Sequence, residues 1–320
     1  MEQTAKIYIA GHTGLVGSAI MRQLKKDGYE NIIARTHAEL DLTDTKAVEV
    51  FFEKEKPDYV FCAAAKVGGL HANNTYMADF AMENLKITIN LIDSAYKNGV
   101  KKLLYPGSSC IYPRDCPQPV KEEYLLTGPL EPTNEGYALA KITGVKLCDY
   151  YKKQYGANFI SCMPANLYGP NDCYDESKNH VVPALIRRFH HAKVNNLPSV
   201  EIWGTGKARR EFMYIDDAAE ACVFLMDNYE GPGIINVGNG NDISIAELAK
   251  SVSDTVGYNG KIVFDTSKPD GMPRRCLDSS KISGMGWKAK TPFREGLEMA
   301  YEWYLGNAFS NKQHEDFNHA

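Results

Sequence analysis

The chain has 320 residues and a formal net charge of −4, with 24% of its residues charged, a length that suits one large domain or two unequal ones. A pI near 6.1 leaves no broad basic field, so nucleic acid and membrane are not expected as partners, and any anion must be held locally. The hydrophobic share of 44% allows an ordinary core, and eight cysteines without a CxxC pair read as reduced thiols rather than a disulfide scaffold.

The opening stretch "MEQTAKIYIAGHTG" enters an apolar strand at once, without the pattern of a signal peptide. No apolar run is long enough to span a bilayer, and a cytoplasmic location is expected. Short runs rich in Ile, Val, Tyr and Phe, "KIYIAG", "NIIART", "DYVFCAAA", "KKLLYPGSS" and "ANFISCMPANLYG", read as strands separated by stretches with helical spacing. In "LVGSAIMRQLKKDG" Val16, Ile20 and Leu24 recur four apart and Gly28 ends the run; "DFAMENLKITINLIDSAYKNG" repeats the pattern to Gly99. This alternation predicts an α/β fold, a Rossmann-type doubly wound parallel sheet over residues 1–165. From 166 to 320 the turn-rich "YGPNDCYDESKNH", the helical "HVVPALIRRFHHAKVNN" and irregular alternation predict a smaller α+β domain across a soft boundary. The last stretch, "GNAFSNKQHEDFNHA", reads as a polar tail.

Gly11, Gly14 and Gly17 form a GxxGxxG loop between the first strand and the first helix. The turn needs positive φ, the backbone must approach a pyrophosphate, and the helix must pack closely on its strand. Backbone N–H groups of His12, Thr13, Gly14, Leu15 and Val16 are then expected to face the phosphates at the positive end of the helix dipole. At the end of the second strand, where an NAD site carries an acid, stand Arg35 and His37. A cation suits a 2′-phosphate, so NADP(H) is the expected cofactor.

Tyr137 and Lys141 lie four apart in "TNEGYALAKITGVKLCDYYKKQYG", one turn apart on one helix face. A phenol of pKa about 10 is a poor acid–base catalyst at neutral pH, and the ammonium together with the cofactor's positive ring is expected to lower it. Such a pair also occurs as mere packing plus a surface lysine. Here it follows "GSSCIYP", where Ser108 stands at the carboxyl end of a parallel strand, the place where doubly wound folds bind ligands.

Glycine loop, serine and YxxxK together resemble the extended short-chain dehydrogenase/reductase superfamily. "AGHTGLVGSAI", "CAAAKVGGLHANNTY", "GSSCIYP", "LEPTNEGYALAKI", "PANLYGPND", "NHVVPALIRRFH", "REFMYIDD" and "SKPDGMPRR" resemble, more closely, the GDP-L-fucose synthase family, over nearly the whole chain to about residue 305. The resemblance implies that a GDP-linked 4-keto-6-deoxy sugar is epimerised at C3 and C5 and reduced at C4 with NADPH. It implies Cys110 and His180 as the acid–base pair, Ser108 and Tyr137 at the 4-oxygen, Tyr137 as proton donor, and Lys141 tuning Tyr137 and contacting the nicotinamide ribose. A thiol and an imidazole bracket neutrality, as two groups working in turn require. Further cofactor contacts implied are Pro106, Gly107, Ser108, Ser109, Pro164, Ala165, Asn166, Leu167 and His180; implied substrate contacts are Arg188, Trp203, Arg210 and Asp270, in the second domain. No metal site is expected, and a homodimer through helices of the nucleotide domain is.

The pattern departs from the family at Thr13 and His37, where its bacterial members carry arginine, which leaves NAD tolerance open. Without the resemblance Cys110 reads as a small buried hydrophobe, His180 as a helix-start residue, Arg188 as a solvated helix face and Trp203 as a core aromatic. A C4-reductase of a related deoxyheptose could keep every residue named. A nucleotide-sugar 4-epimerase or dehydratase, and a nucleotide-sensing protein without turnover, are the other readings.

Overall fold

The computed structural model describes residues 1–176, 179–268 and 270–307, apart from the side chains of residues 70 and 71. The apolar runs of the first half become β1 (Ile7–Ala10), β2 (Ile32–Arg35), β3 (Tyr59–Cys62), β4 (Lys102–Pro106) and β5 (Phe159–Pro164), alternating with α1 (Leu15–Lys26), α2 (Thr45–Glu55), α3 (Leu70–Thr75), α4 (Met77–Lys97) and α5 (Glu135–Tyr155). The second half contributes β6 (Asn166–Tyr168), α6 (Val181–Val194), β7 (Ser199–Trp203), β8 (Arg209–Tyr214), α7 (Ile215–Asn228), β9 (Ile234–Val237) and β10 (Asp242–Ser244). It continues through α8 (Ile245–Val256), β11 (Lys261–Asp265), β12 (Arg274–Arg275), α9 (Ser280–Gly284) and α10 (Phe293–Asn307).

Six parallel strands in the order β2-β1-β3-β4-β5-β9 form the main sheet. Helices α1 and α7 pack together, and α2 and α5 each pack on α4. Strands β1, β3, β4 and β5 are buried almost along their whole length, as a sheet covered on both faces requires. The chain winds outward from β1 to β2 and then returns to β3 on the other side, so the crevice above β1 and β3 is the topological switch point.

The stretch "ANFISCMPANLYG" is not one strand. β5 stays in the main sheet, whereas β6, just past Ala165, pairs with β8 in a second sheet of order β10-β8-β12. A third sheet pairs β11 with β7. The division at residue 165 is crossed again by α7 and β9, which return to the main sheet. The physical reason is coverage: α7 buries Ala218, Ala219, Ala221, Cys222, Val223 and Leu225, and β9 pairs the edge of β5 that would otherwise stay open. One core cluster spans the main sheet and includes Ile215 through Val237; a smaller one, around Phe189, Phe212, Leu248 and Leu297, fills the second part. The polar tail beyond Asn307 lies outside the described residues.

Candidate active site

The β1–α1 turn is built on close approach. Gly11 has φ +80°, and a Cβ there would stand 2.6 Å from the Ala64 backbone; a Cβ on Gly17 would stand 2.1 Å from the Gly11 carbonyl oxygen. At Gly14 a Cβ would meet only that oxygen, at 3.6 Å, so nothing inside the protein demands glycine there. The Gly14 N–H donates to the Gly11 carbonyl at 3.1 Å, so this one of the five expected phosphate donors closes the turn instead. Leu15 and Val16, the first residues of α1, follow an N-cap without a side chain, and helix N–H groups there have no carbonyl a turn earlier. His12 Nδ1 is buried without a partner. An open lip, unpaired donors and an orphaned imidazole nitrogen fit the pyrophosphate of a dinucleotide.

At the end of β2, Arg35 donates to the Glu55 carboxylate at 2.9 Å and lies 5.7 Å over the Phe51 ring. Lys6 reaches the same carboxylate at 3.4 Å. The guanidinium is thus drawn along α2. His37 projects into solvent, its side chain 83% exposed, 3.9 Å from Asp41. Across the crevice, Asn84 of α4 accepts the Lys66 N–H at 2.9 Å and donates to the Lys66 and Phe80 carbonyls at 3.0 and 2.7 Å. That clamp fixes the loop after β3, against which Gly11 packs.

Four of the five expected catalytic residues converge where β4 ends. Ser108, in extended conformation, accepts the Cys110 N–H at 3.4 Å and so starts the one-turn helix Ser109–Ile111. From α5, Lys141 donates to the Pro106 carbonyl at 2.8 Å, and its Nζ stands 4.8 Å from the Tyr105 ring and 5.9 Å from that of Tyr137. α5 comes this close because Gly144, one turn beyond Lys141, faces Tyr105, where a Cβ would stand 2.3 Å from the ring. Solvent reaches Ser108, Cys110 and Tyr137 only in part, while their surroundings desolvate both titratable groups.

The electrostatics differ from the expected lowering of Tyr137. Desolvation pushes its phenol well above the usual value, and the charges of Cys110 and Tyr105 add to the rise. Lys141, bonded to the Pro106 carbonyl and 5.9 Å from the phenol ring, does not offset that rise. Desolvation lowers Lys141 itself to about 8, partly offset by the cysteines around it. It also raises the Cys110 thiol, against the Ser108 hydroxyl and the charges of Lys141 and Arg275. His180 is the N-cap of α6. Solvent reaches it, yet it is crowded by protein atoms, and that desolvation holds its pKa below the ordinary imidazole value.

Pro164 to Leu167 run from β5 into β6, where the Ala165 N–H binds the Val237 carbonyl at 2.9 Å and the Asn166 amide binds that of Glu211 at 2.8 Å. Arg210 of β8 is half-buried and donates to its neighbour's carbonyl at 2.8 Å. Arg188 is exposed on α6 and reaches the Glu201 carbonyl at 3.3 Å. Trp203 is 58% exposed, with the Lys268 ammonium 5.7 Å from its ring, and so is not a core aromatic. Asp270, expected to meet substrate, accepts the Thr205 N–H at 2.6 Å and hydroxyl at 2.7 Å, and thereby braces the turn after β7. Asn84, Gly144 and Arg275 were not singled out from the sequence; none has a local spacing signal.

Residues 7–238 match the model of the NAD dependent epimerase/dehydratase family, and the chain belongs to that family. Within it the chain stands with the GDP-L-fucose synthases: it is 57% identical to putative GDP-L-fucose synthase 2 of Arabidopsis thaliana, over 98% of this chain and 95% of that one. Among solved structures, a GDP-6-OMe-4-keto-L-xylo-heptose reductase from C. jejuni superposes with TM-score 0.92 at 41% identity, covering 96% of this chain and 99% of that one. A GDP-L-fucose synthetase from Naegleria fowleri bound to NADP superposes with TM-score 0.90 at 31% identity, covering 97% and 95%.

Proposed function

We propose that this chain is an NADPH-dependent epimerase/reductase that inverts C3 and C5 of a GDP-linked 4-keto-6-deoxy sugar and then reduces its C4 ketone, giving GDP-L-fucose. The observation that carries this reading is the meeting of Ser108, Cys110, Tyr137 and Lys141 at the carboxyl end of β4, in a chain so similar to GDP-L-fucose synthases. NADPH, when bound, supplies the hydride for C4; the Gly11–Gly17 loop, with His12 and His37, holds its phosphates, and Lys141 its ribose.

The protein's own groups handle the protons. Tyr137, kept protonated at neutral pH by desolvation, donates to the alkoxide oxygen. The Lys141 charge then stabilises the phenolate left behind, and Ser108 donates a hydrogen bond to the 4-oxygen. For epimerisation, the depressed pKa of His180 makes it a neutral base and the raised pKa of Cys110 makes it a protonated acid at pH 7. His180 takes the proton beside the ketone, the enolate oxygen is held by Ser108 and Tyr137, and Cys110 returns a proton to the opposite face. Exchange with water resets both groups. Arg188 and Arg210 meet the diphosphate, and Trp203 offers its face to the base; Asp270 shapes the turn beside it.

The test is to supply GDP-4-keto-6-deoxymannose and NADPH in D₂O and identify the product by NMR. GDP-L-fucose carrying deuterium at C3 and C5 is the expected product. The likeness to a heptose reductase favours a second reading, a 4-reductase without epimerisation, which would give an unlabelled 4-reduced sugar with C3 and C5 uninverted and prefer the heptose counterpart. We also propose a homodimer: Met82, Ile89 and Tyr96 lie exposed seven apart on α4, beside exposed Leu139 and Tyr150 on α5, and such a stripe calls for a partner helix pair. Sedimentation velocity reads the mass directly. No described helix is long and apolar enough to cross a membrane, and we place the enzyme in the cytoplasm with its thiols reduced.

A further inference from the structure

Strand register sorts four arginines into two pairs. β8 and β12 run parallel, with Arg274 opposite Arg209 and Arg275 opposite Arg210, and successive residues of a strand point to opposite faces. On one face Arg209 and Arg274 share the Asp242 carboxylate. On the other, Arg210 and Arg275 have no ion-pair partner among the described residues. Arg275 is only 3% exposed. Its Nη2 donates to the Pro113 and Tyr112 carbonyls at 3.1 and 3.5 Å and to the Met272 sulfur at 3.0 Å. Its Nη1 reaches Cys116 Sγ at 3.4 Å, and its Nε is buried without a partner. A guanidinium removed from water and left without an anion is costly, so its placement needs a reason.

Its contacts supply one. Tyr112 and Pro113 directly follow the one-turn helix that carries Cys110, and Cys116 lies on the same loop. We propose that Arg275 is a positioning residue for the proton-transfer half of the reaction: it clamps the Cys110 turn onto the β8–β12 strand pair and sets a buried positive charge against the Tyr112 carbonyl, two residues past a thiol that must pass through its anion. Among the described residues, the groups that act on that thiol or feel its charge are Ser108 on its own loop, Tyr105 from β4, Tyr137 and Lys141 from α5, and Arg275 from β12. Only Lys141 and Arg275 are cations, and both oppose the rise that desolvation imposes on Cys110. A lone thiolate in such a site is unstable; two cations make it a usable intermediate.

The inference rests on Cys110 as an acid–base group, and the experiment separates the two. Solvent deuterium uptake into the sugar and the pH dependence of Cys110 alkylation by iodoacetamide, followed by peptide mass spectrometry, are measured on the full chain for wild type, Cys110→Ser, Arg275→Gln and Arg275→Lys. Arg275→Gln is expected to slow uptake at least about ten-fold, more than it slows hydride transfer, and to raise the alkylation midpoint by about half a pH unit or more. Arg275→Lys, which keeps the charge but not the fork, is expected to restore the midpoint and only part of the rate. Uptake that persists in Cys110→Ser sinks the reading of Cys110. Uptake lost there but unchanged, with an unchanged midpoint, in a folded Arg275→Gln overturns the role of Arg275 alone. Should circular dichroism show the glutamine variant unfolded, the lysine variant decides: slowed uptake at the wild-type midpoint supports the clamp, and wild-type uptake overturns it.

Discussion

Lys141 Nζ stands 2.8 Å from the Pro106 carbonyl oxygen, so the last residue of β4 and the middle of α5 are joined by one buried hydrogen bond. That bond sets where the ammonium sits relative to Tyr137 and Cys110. It also determines how the site responds to pH. Ketone reduction by the proposed route needs Lys141 charged and Tyr137 protonated. Both conditions hold at low pH; Lys141, lowered to about 8, is the first to be lost as pH rises. The rate of reduction at saturating NADPH is therefore expected to be level near neutrality and to fall above about pH 8 with a slope of one proton. In Lys141→Arg, whose guanidinium does not titrate in this range, that limb should vanish from a slower enzyme. A limb that persists unchanged in the arginine variant would assign it to another group. The same shift makes the folded state bind fewer protons than the unfolded chain from about pH 8 up to the ordinary lysine value. From this group, stability therefore rises with pH across that window.

Cys110→Ser keeps the shape of the turn and its bond to Ser108 while replacing a titrating thiol with a hydroxyl that does not ionise near neutrality. Deuterium uptake at C3 and C5 is expected to fall about 10²–10⁴-fold, the usual contribution of a general acid–base group. Reduction of a ketone supplied already epimerised should fall far less, since Tyr137 and Lys141 are untouched. Mass spectra of the product after a single turnover distinguish the two losses.

Gly144 offers a packing test remote from any substrate. A Cβ there would stand 2.3 Å from the Tyr105 ring and 2.6 Å from its hydroxyl, which pairs with Thr88 at 3.0 Å. Either the ring or α5 must move. Gly144→Ala is expected to destabilise the fold by about 1–3 kcal/mol, as overpacking does, and to lower hydride transfer by shifting Lys141 off Pro106. Thermal melts read the first effect and single-turnover kinetics the second. A variant as stable and fast as wild type would show that α5 does not depend on this contact.

The glycine loop, the serine turn and the Tyr137–Lys141 pair could be read from the sequence because each is local: a few residues at fixed spacing determine the backbone that presents them. What escaped was set by distant partners. The break after β5 depends on β8, which captures β6 from more than forty residues away, and the return of β9 depends on an open edge of β5. Nothing local separates Arg275 from its neighbour Arg274; the β8–β12 register places the two on opposite faces, and only Arg275 is buried. The burial that raises the tyrosine's pKa is hidden in the sequence for a related reason. Charge proximity along a helix is visible in spacing, whereas desolvation is a property of everything packed around the ring. The bond between Asp270 and Thr205 likewise joins residues 65 apart and has no local signal.

Cofactor choice follows from the same nonlocal geometry. Arg35 is the strongest cation at the end of β2, but Glu55 holds it at 2.9 Å and shares that carboxylate with Lys6. What remains beside the expected 2′-phosphate is His37, largely in solvent. Two changes should therefore tighten NADP⁺ relative to NAD⁺. Glu55→Gln frees Arg35 from its ion pair, and His37→Arg places a permanent forked cation at the lip. A charge-assisted hydrogen bond is worth about 1.5–3 kcal/mol, so His37→Arg is expected to raise the affinity ratio roughly ten-fold or more. Isothermal titration of both nucleotides into the full chain measures the ratio without turnover. If Glu55→Gln leaves it unmoved while His37→Arg raises it, Arg35 plays no part in holding the phosphate. If neither moves it, the 2′-phosphate is held by groups on the glycine loop, with the unpartnered His12 nitrogen the first to substitute next.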